Sequence, residues 1–377
     1  MSEIVFVLGA GASVAAGAPI MKDFLDVAYD LMKRRQNQEI AADSELVFKG
    51  IDALQRVHSK AELDLQNLEA VFAAFEMANL LKRLSDFDRE EIEKLPPAMR
   101  RVICHTLEST IQFPIVVTEV PERFPHTMGH ISREIAPPKP YGQLMDLVNG
   151  YYKRGRNKIS FITFNYDLCL DHALISSGYT PEYWLGTMKP TLTDKSVNLF
   201  KLHGSLNWTR CKHCNEIVAW PTSEFSDFMS NRNWFRPDAD QFVTMRLSQH
   251  WQYFPHCNKS AGATEPVIVP PTWNKTQYHT EIEGVWYHAA AELADAENIF
   301  ICGYSLPGTD KFFHYLYALG SVGHARLKRF WVFNPDDKVE DRFKSILGQM
   351  ALQRFKFTKV NFEDCFGTIW PTLDSKP

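Results

Sequence analysis

The stretch Ile4-Val5-Phe6-Val7-Leu8-Gly9-Ala10-Gly11-Ala12-Ser13 constrains this chain most, because an apolar strand runs straight into a turn of small residues. Gly9 and Gly11 let the backbone approach an anion with no Cβ in the way. Ser13 adds a hydroxyl where the N-terminus of a following helix would point its free N–H groups. The segment therefore predicts a strand, a phosphate-cradling turn and then a helix from Met21 to Arg35, with a nucleotide as ligand. The dinucleotide fingerprint Gly-x-Gly-x-x-Gly is met only in part, since its third position is Val14.

From residue 158 onward, strand and helix signals alternate. Ile159 to Phe164, Val197 to Leu202, Pro266 to Val269, Ile299 to Cys302 and Phe330 to Phe333 are short apolar runs. They are separated by helix-like segments at Leu168 to Ser177, Thr280 to Ala296, Asp310 to Leu319 and Asp337 to Met350. This alternation predicts an α/β fold, a Rossmann-like parallel sheet with helices on both faces. In such sheets the ligand lies at the carboxyl ends of the strands, and Gly9, Asn165, His203, Gly303 and Asn334 all fall there.

Between the first turn and Asn165 the chain reads mostly as helix: Met21 to Arg35, Ala61 to Leu84, Asp88 to Gln112 and Tyr141 to Arg154. In the second of these Leu63, Leu65, Leu68, Val71, Phe72, Phe75, Met77, Leu80 and Leu81 make one broad apolar stripe. The stripe faces a core, or in part a second subunit, with Phe72 and Phe75 among its outer members. Residues 114 to 140 hold Pro114, Pro121, Pro125, Pro137, Pro138 and Pro140, which predicts a loop. The expected organisation is a Rossmann-like domain from 1–24 and 158–377, a helical insert at 25–157 and a small ribbon-like insert at 205–262.

Three motifs follow apolar runs: Thr163-Phe164-Asn165-Tyr166-Asp167, Lys201-Leu202-His203-Gly204-Ser205 and Cys302-Gly303-Tyr304-Ser305. Together with Gly-Ala-Gly-Ala-Ser and Gly17-Ala18-Pro19 they resemble the sirtuin family of NAD-consuming enzymes, over residues 1 to 24 and roughly 158 to 335. The match is to the bacterial, defence-associated sirtuin-like branch, in which Phe-Asn-Tyr-Asp stands for the Gln-Asn-x-Asp of the deacylases. The resemblance implies NAD+ as substrate. It implies that Gly9, Ala10, Gly11, Ala12, Ser13, Pro19, Asp23, Phe24, Gly303, Ser305 and Asn334 line the dinucleotide site, and that Asn165 and His203 are catalytic.

Cleaving the bond from nicotinamide to the anomeric carbon passes through an oxocarbenium-like state, as in glycoside hydrolysis. Asn165 suits orienting the ribose and a water without a permanent ion pair. Asp167 suits accepting a hydrogen bond or bracing the loop. His203 suits proton removal at neutral pH. The Phe-Gly-Glu segment with which sirtuin deacylases build part of their peptide groove is replaced by Val267-Ile268-Val269-Pro270-Pro271-Thr272-Trp273-Asn274-Lys275, whose prolines disfavour strand addition. The arginine after Gly-Ile-Pro-x-Phe is also missing, with Pro19-Ile20-Met21-Lys22-Asp23-Phe24 in its place. The Pro-Pro-Thr-Trp-x-Lys segment and Gly303-Tyr304-Ser305-Leu306-Pro307 are instead similar to the defence-type branch, a resemblance that implies hydrolysis of free NAD+. Protein deacylation or ADP-ribosyl transfer, and a non-catalytic module binding NAD or ADP-ribose, are the alternatives.

Cys211-Lys212-His213-Cys214 lies where the family carries a structural zinc ribbon. Four ligands are needed, and Cys257 is single, so His256 or His213 would complete the set Cys211, Cys214 and Cys257. A degenerate ribbon without metal is the alternative. The other cysteines read as core residues, because an odd total of 7 in a long chain is no secreted disulfide framework. A net charge of −4 excludes a bulk positive field for nucleic acid, and Lys33-Arg34-Arg35 and Lys153-Arg154-Gly155-Arg156 read as solvated helix ends. With no long apolar span and no leader-like N-terminus, a cytoplasmic protein is expected. An enzyme that destroys NAD needs control, and no sensor domain is recognisable. A homo-oligomer is expected, and the layout resembles the sirtuin-like subunit of defence systems that pair with a HerA-type ATPase.

Overall fold

Every residue of β1 (Ile4–Leu8) is buried, as a strand in the middle of a covered sheet must be. The computed structural model describes residues 3–34, 40–56, 63–120, 130–154, 159–186, 192–220, 235–237, 241–248, 250–263, 265–269, 276–308, 311–320 and 326–374. After β1 come two 3₁₀ turns, Ala10–Ala12 and Val14–Ala16, then α1 (Phe24–Lys33), α2 (Ala41–Gln55), α3 (Leu68–Leu81), α4 (Arg89–Thr110), β2 (Phe113–Val120), β3 (His130–Ile135) and α5 (Lys139–Tyr152). The second half runs β4 (Ile159–Thr163), α6 (Cys169–Ser176), β5 (Thr180–Glu182), β6 (Ser196–Lys201), β7 (Gly204–Arg210), β8 (Ile217–Ala219), β9 (Phe235–Pro237), β10 (Phe242–Met245), β11 (Pro255–His256), β12 (Lys259–Ser260) and β13 (Pro266–Ile268). It closes with α7 (Thr276–Asp295), β14 (Asn298–Cys302), α8 (Lys311–Gly320), β15 (Arg329–Phe333), α9 (Lys338–Ile346), α10 (Gln349–Leu352), β16 (Phe355–Thr358) and α11 (Phe366–Asp374).

The expected α/β fold is present: a seven-stranded, all-parallel sheet in the order β16-β15-β14-β1-β4-β6-β5, flanked by helices. Register levels its carboxyl ends. Leu8 pairs with Thr163 and Cys302, Thr163 with Lys201, and Cys302 with Phe333, so the loops after five adjacent strands leave the sheet at one height. Strand order reverses at β1, the place where open α/β sheets form their crevice.

Several expectations need correction. No α-helix follows the Gly9–Ser13 turn directly. The small residues wind into the two 3₁₀ turns, Gly17 in the left-handed conformation (φ 95°) ends the second, and α1 begins only at Phe24. The helix expected from Ala61 starts at Leu68, because the Asn67 side chain caps it by accepting from the N–H groups of Glu69 (2.9 Å) and Ala70 (3.3 Å). Residues 57–62 lie outside the described ones. Phe72 and Phe75 are core residues, not outer members of the stripe, whereas Leu80 and Leu81 at its end are exposed.

The helix α2 was not expected; it packs on α4 across Gly50, where a Cβ would come within 2.9 Å of Leu95 and Phe75. Of the loop predicted at 114 to 140, residues 121–129 lie outside the described ones, and the stretches on either side are instead antiparallel strands, β2 and β3, joined to β10 and β9 in a four-stranded sheet. Pro114 accepts from Ala136 N (2.8 Å), and Pro138 and Pro140 flank the start of α5, whereas Pro121 and Pro125 lie outside the described residues. Pro266–Ile268 does not join the parallel sheet. Gly204 (φ 86°) reverses the chain after β6, and β13 pairs antiparallel with β7 in a separate sheet, β13-β7-β8.

Glu108 on α4 ties the N-terminal helices to the second half, accepting from Ser248 N (2.8 Å) and Ser248 Oγ (2.5 Å). Burial raises its pKa from 4.5 to about 7 against those bonds. A carboxyl with a raised folded-state pKa favours the protonated native form, so its stabilisation is full below the unfolded pKa and is lost as pH climbs through about 7. That loss is roughly 3 kcal/mol at most. His105 and His172, whose pKa values burial lowers to about 4, act in the opposite sense by destabilising the fold as pH falls below the usual imidazole range. Glu108→Gln keeps an acceptor for Ser248 N without the charge. Melting temperatures should show the variant matching the wild type near pH 5 and exceeding it at pH 8; parallel curves at all pH values would contradict the assignment.

Candidate active site

The turn after β1 and the loop after β14 meet backbone to backbone. Gly9 N donates to Cys302 O (3.1 Å) and Gly11 N to Gly303 O (2.9 Å). A Cβ on Gly9 would lie 2.5 Å from Tyr304 Cα, and one on Gly303 (φ 64°) 2.4 Å from Ala12 N. The glycines thus serve the contact between two loops as well as any ligand. Part of the turn's donor capacity is spent internally too, since Ala12 N and Ser13 N donate to Gly9 O and Ala10 O.

The loop after β4 presents Asn165, which is 8% exposed. Its backbone N–H donates to Thr163 Oγ1 (3.1 Å), and its side-chain Nδ2 to Gly9 O (3.0 Å) and Ser13 Oγ (3.1 Å). Ser13 is itself 2.7 Å from the phenol oxygen of Tyr141, buried in the first turn of α5. The Asp167 carboxylate accepts from Cys169 N (2.9 Å) at the start of α6, close enough for its charge to act on the Tyr141 phenol. Here it accepts a hydrogen bond from within its own loop, a bond that also ties that loop to α6.

After β6 comes His203, 2% exposed, with its ring 5.1 Å from that of Phe164. Phe164 stacks on Tyr304 at 4.1 Å and 6°. Asn334, after β15, donates from Nδ2 to Tyr304 O (3.4 Å), and Gly303 N donates to Phe333 O (3.1 Å). A continuous chain of contacts therefore joins Gly9, Gly11, Ser13, Asn165, His203, Gly303 and Asn334. Ser305 is at its rim, its carbonyl accepting from Arg342 (3.1 Å). Asp23 is exposed at the N-terminus of α1, Phe24 is buried behind it and Pro19 is half-buried before it; the contacts that unite the others do not run to these three.

Beneath His203 lies a pair that sequence reasoning passed over. Lys201, wholly buried, donates from Nζ to Asp171 Oδ2 (2.8 Å) and to the backbone carbonyl of Asp167. Asp171 Oδ1 accepts from Tyr183 Oη (2.6 Å), whose oxygen accepts from Asn207 Nδ2 (3.2 Å), and Asn207 Oδ1 accepts from Ser205 Oγ (2.6 Å). A lysine inside the apolar run Val197 to Leu202 was the available signal, because a buried ammonium demands a partner.

Cys211, Cys214, His256 and Cys257 gather one ligand atom each within 4.8 Å of one another. His256 Nδ1 is 3.5 Å from Cys214 Sγ and 3.3 Å from Cys257 Sγ. Ligands of a tetrahedral Zn2+ stand about 3.5 to 3.8 Å apart, so the donor set and its spacing fit that ion. Neighbours 256 and 257 converge because Cys257 (φ 52°) and Asn258 (φ 57°) form a two-residue hairpin of left-handed residues between β11 and β12. His213 points instead at Ser260 O (3.0 Å). The expected core cysteines, Cys104, Cys169, Cys302 and Cys365, are buried free thiols. Among the described residues no helix is long and apolar enough to cross a membrane.

No protein-family model matches the chain, and no curated protein does. Among solved structures the chain is similar to a Sir2 homologue–NAD complex (14% identity, 99% of this chain and 90% of that one, TM-score 0.43). It is also similar to Sir2Tm bound to a propionylated peptide (11%, 98% and 92%, 0.39) and to a Sir2–p53 peptide–NAD+ complex (12%, 98% and 92%, 0.41). At such values the residues of the chain itself, not these matches, carry the functional reading.

Proposed function

We propose that the chain is an NAD+ glycohydrolase, converting NAD+ and water to ADP-ribose and nicotinamide. The observation that supports this best is that Asn165 and His203 leave adjacent parallel strands at one height, next to the Gly9–Ser13 and Gly303–Ser305 loops. In this reading the two loops and Asn334 hold the dinucleotide, Asn165 orients the ribose and the attacking water, and His203 takes the proton. Buried, mostly uncharged surroundings suit a reaction whose positive charge develops only in the transition state. Asp167 and the Lys201–Asp171 pair keep the Asn165 loop in place. Zn2+ would be held by Cys211, Cys214, His256 and Cys257 and would fasten the small ribbon; it takes no part in the chemistry.

The motif resemblance supports a role as a toxic effector of anti-phage defence in the cytoplasm, depleting NAD+. The need to restrain such an activity supports a homo-oligomer, and the overall layout supports pairing with a HerA-type ATPase. The division into a Rossmann-like domain (1–24 and 158–377), an insert at 25–157 and a small ribbon at 205–262 belongs to the same proposal. The segment Pro270 to Lys275, on which the argument against deacylation leans, lies outside the described residues.

Purified protein incubated with NAD+ should release ADP-ribose and nicotinamide in equal amounts without any peptide, as read by chromatography. Release that requires an acylated peptide would move the assignment to deacylation or transfer. Binding measured by calorimetry with no release would make the chain a binding module.

A further inference from the structure

We propose that Tyr141, contributed by α5, is a positioning residue that fixes the amide of Asn165 through Ser13, so that Asn165 offers its ligand a hydrogen-bond acceptor. Gly9 O can only accept, so the Asn165 atom 3.0 Å from it must be the amide nitrogen. Its second hydrogen is directed at Ser13 Oγ, 3.1 Å away. Both donors are then used, and Oδ1 is the polar atom left to meet a ligand.

Ser13 has one proton and two lone pairs, and one lone pair receives Asn165. What remains is shared with the phenol of Tyr141 at 2.7 Å and with the Cys169 thiol, and the phenol oxygen also lies within reach of the Asn165 amide itself. That phenol is locked in turn, because Tyr141 is 1% exposed and its ring packs edge-on against Phe362 at 5.4 Å. Burial pushes its pKa well up, so it remains a neutral hydroxyl. An acceptor at this place selects a hydroxyl or a water over a phosphate oxygen. On the NAD+ reading, on which this part rests, Asn165 therefore faces the ribose and the attacking water and not the diphosphate.

Tyr141→Phe removes one oxygen and keeps the packed ring. The first readout is independent of any reaction: exchange with water of the Asn165 side-chain amide hydrogens, observed by NMR and identified by their disappearance in Asn165→Ala. Exchange should be about tenfold faster in Tyr141→Phe, and comparably faster in Ser13→Ala, which probes the same link should the first variant fold poorly. NAD+ cleavage should fall about tenfold in kcat with KM nearly unchanged, and Ser13→Ala/Tyr141→Phe should be no slower than Ser13→Ala alone. Unchanged amide exchange in folded Tyr141→Phe, or full additivity of the two substitutions, would overturn the positioning role. A wild-type protein that leaves NAD+ intact would defeat the glycohydrolase reading, and the exchange rates alone would then decide on Tyr141.

Discussion

Asn165→Ala is expected to lower NAD+ turnover by about 10²-fold or more while NAD+ binding falls only modestly, since loss of one preorganised polar group acts mainly on the transition state. The separation is expected because the turn and loops that would hold the phosphates belong to β1 and β14, not to the Asn165 loop. The substitution also strips partners from Gly9 O and Ser13 Oγ, both inside the protein, so some loss of melting temperature should accompany it. His203→Ala separates the chemical role from that structural one. A general base of imidazole type gives a rate that rises with pH as the ring loses its proton. Without His203 the profile should flatten as well as drop. Steady-state rates from pH 5 to 9, with binding followed by calorimetry, test both residues. An Asn165→Ala enzyme with wild-type turnover would remove Asn165 from the mechanism, and a His203→Ala enzyme with its pH dependence intact would leave His203 a purely structural residue.

The parts of this protein that were legible in its sequence are those governed by local rules. Five apolar residues before Gly9 have no choice but a covered strand, and the same logic located β4, β6, β14 and β15 to within a residue or two. Because register then levels their ends, the residues just past them could be gathered into one site without any knowledge of tertiary packing. What was missed depends on partners distant in the chain. Residues 113–120 become a strand because His130–Ile135 pair along Ile115–Val120 and Phe242 and Val243 lie beside Pro114 and Phe113, so Pro114 sits near its start without forbidding it. Gly50 makes α2 possible by admitting Phe75 and Leu95, a contact no periodicity announces. Tyr141 stood in the sequence only as the first residue of a helix, and only the fold brings its hydroxyl to Ser13, 128 residues away. The choice between His213 and His256 depended on two left-handed residues in a hairpin, a backbone state that Cys257 would not suggest.

Lys201→Met should have the largest effect on stability of any single change considered. Lys201 and Asp171 are both fully buried and 2.8 Å apart, so losing the ammonium leaves a carboxylate in the interior whose remaining donor among the described residues is Tyr183. Breaking a buried pair from one side costs about 3–5 kcal/mol, a large share of the roughly 5–15 kcal/mol that keeps a typical domain folded. Most of that cost is the stranded charge and not the lost attraction, which makes the second substitution informative. Lys201→Met/Asp171→Asn removes the charge and still offers Tyr183 an acceptor, so urea titration should show the double variant recovering much of the stability lost by the single one. Recovery of stability would not restore the whole site, because the Lys201 ammonium also holds the Asp167 carbonyl two residues from Asn165. The double variant is therefore expected to fold well and turn over slowly. If single and double variants are equally unstable, the stranded carboxylate is not the cause, and the bond from Lys201 to the Asp167 carbonyl is what the fold cannot lose.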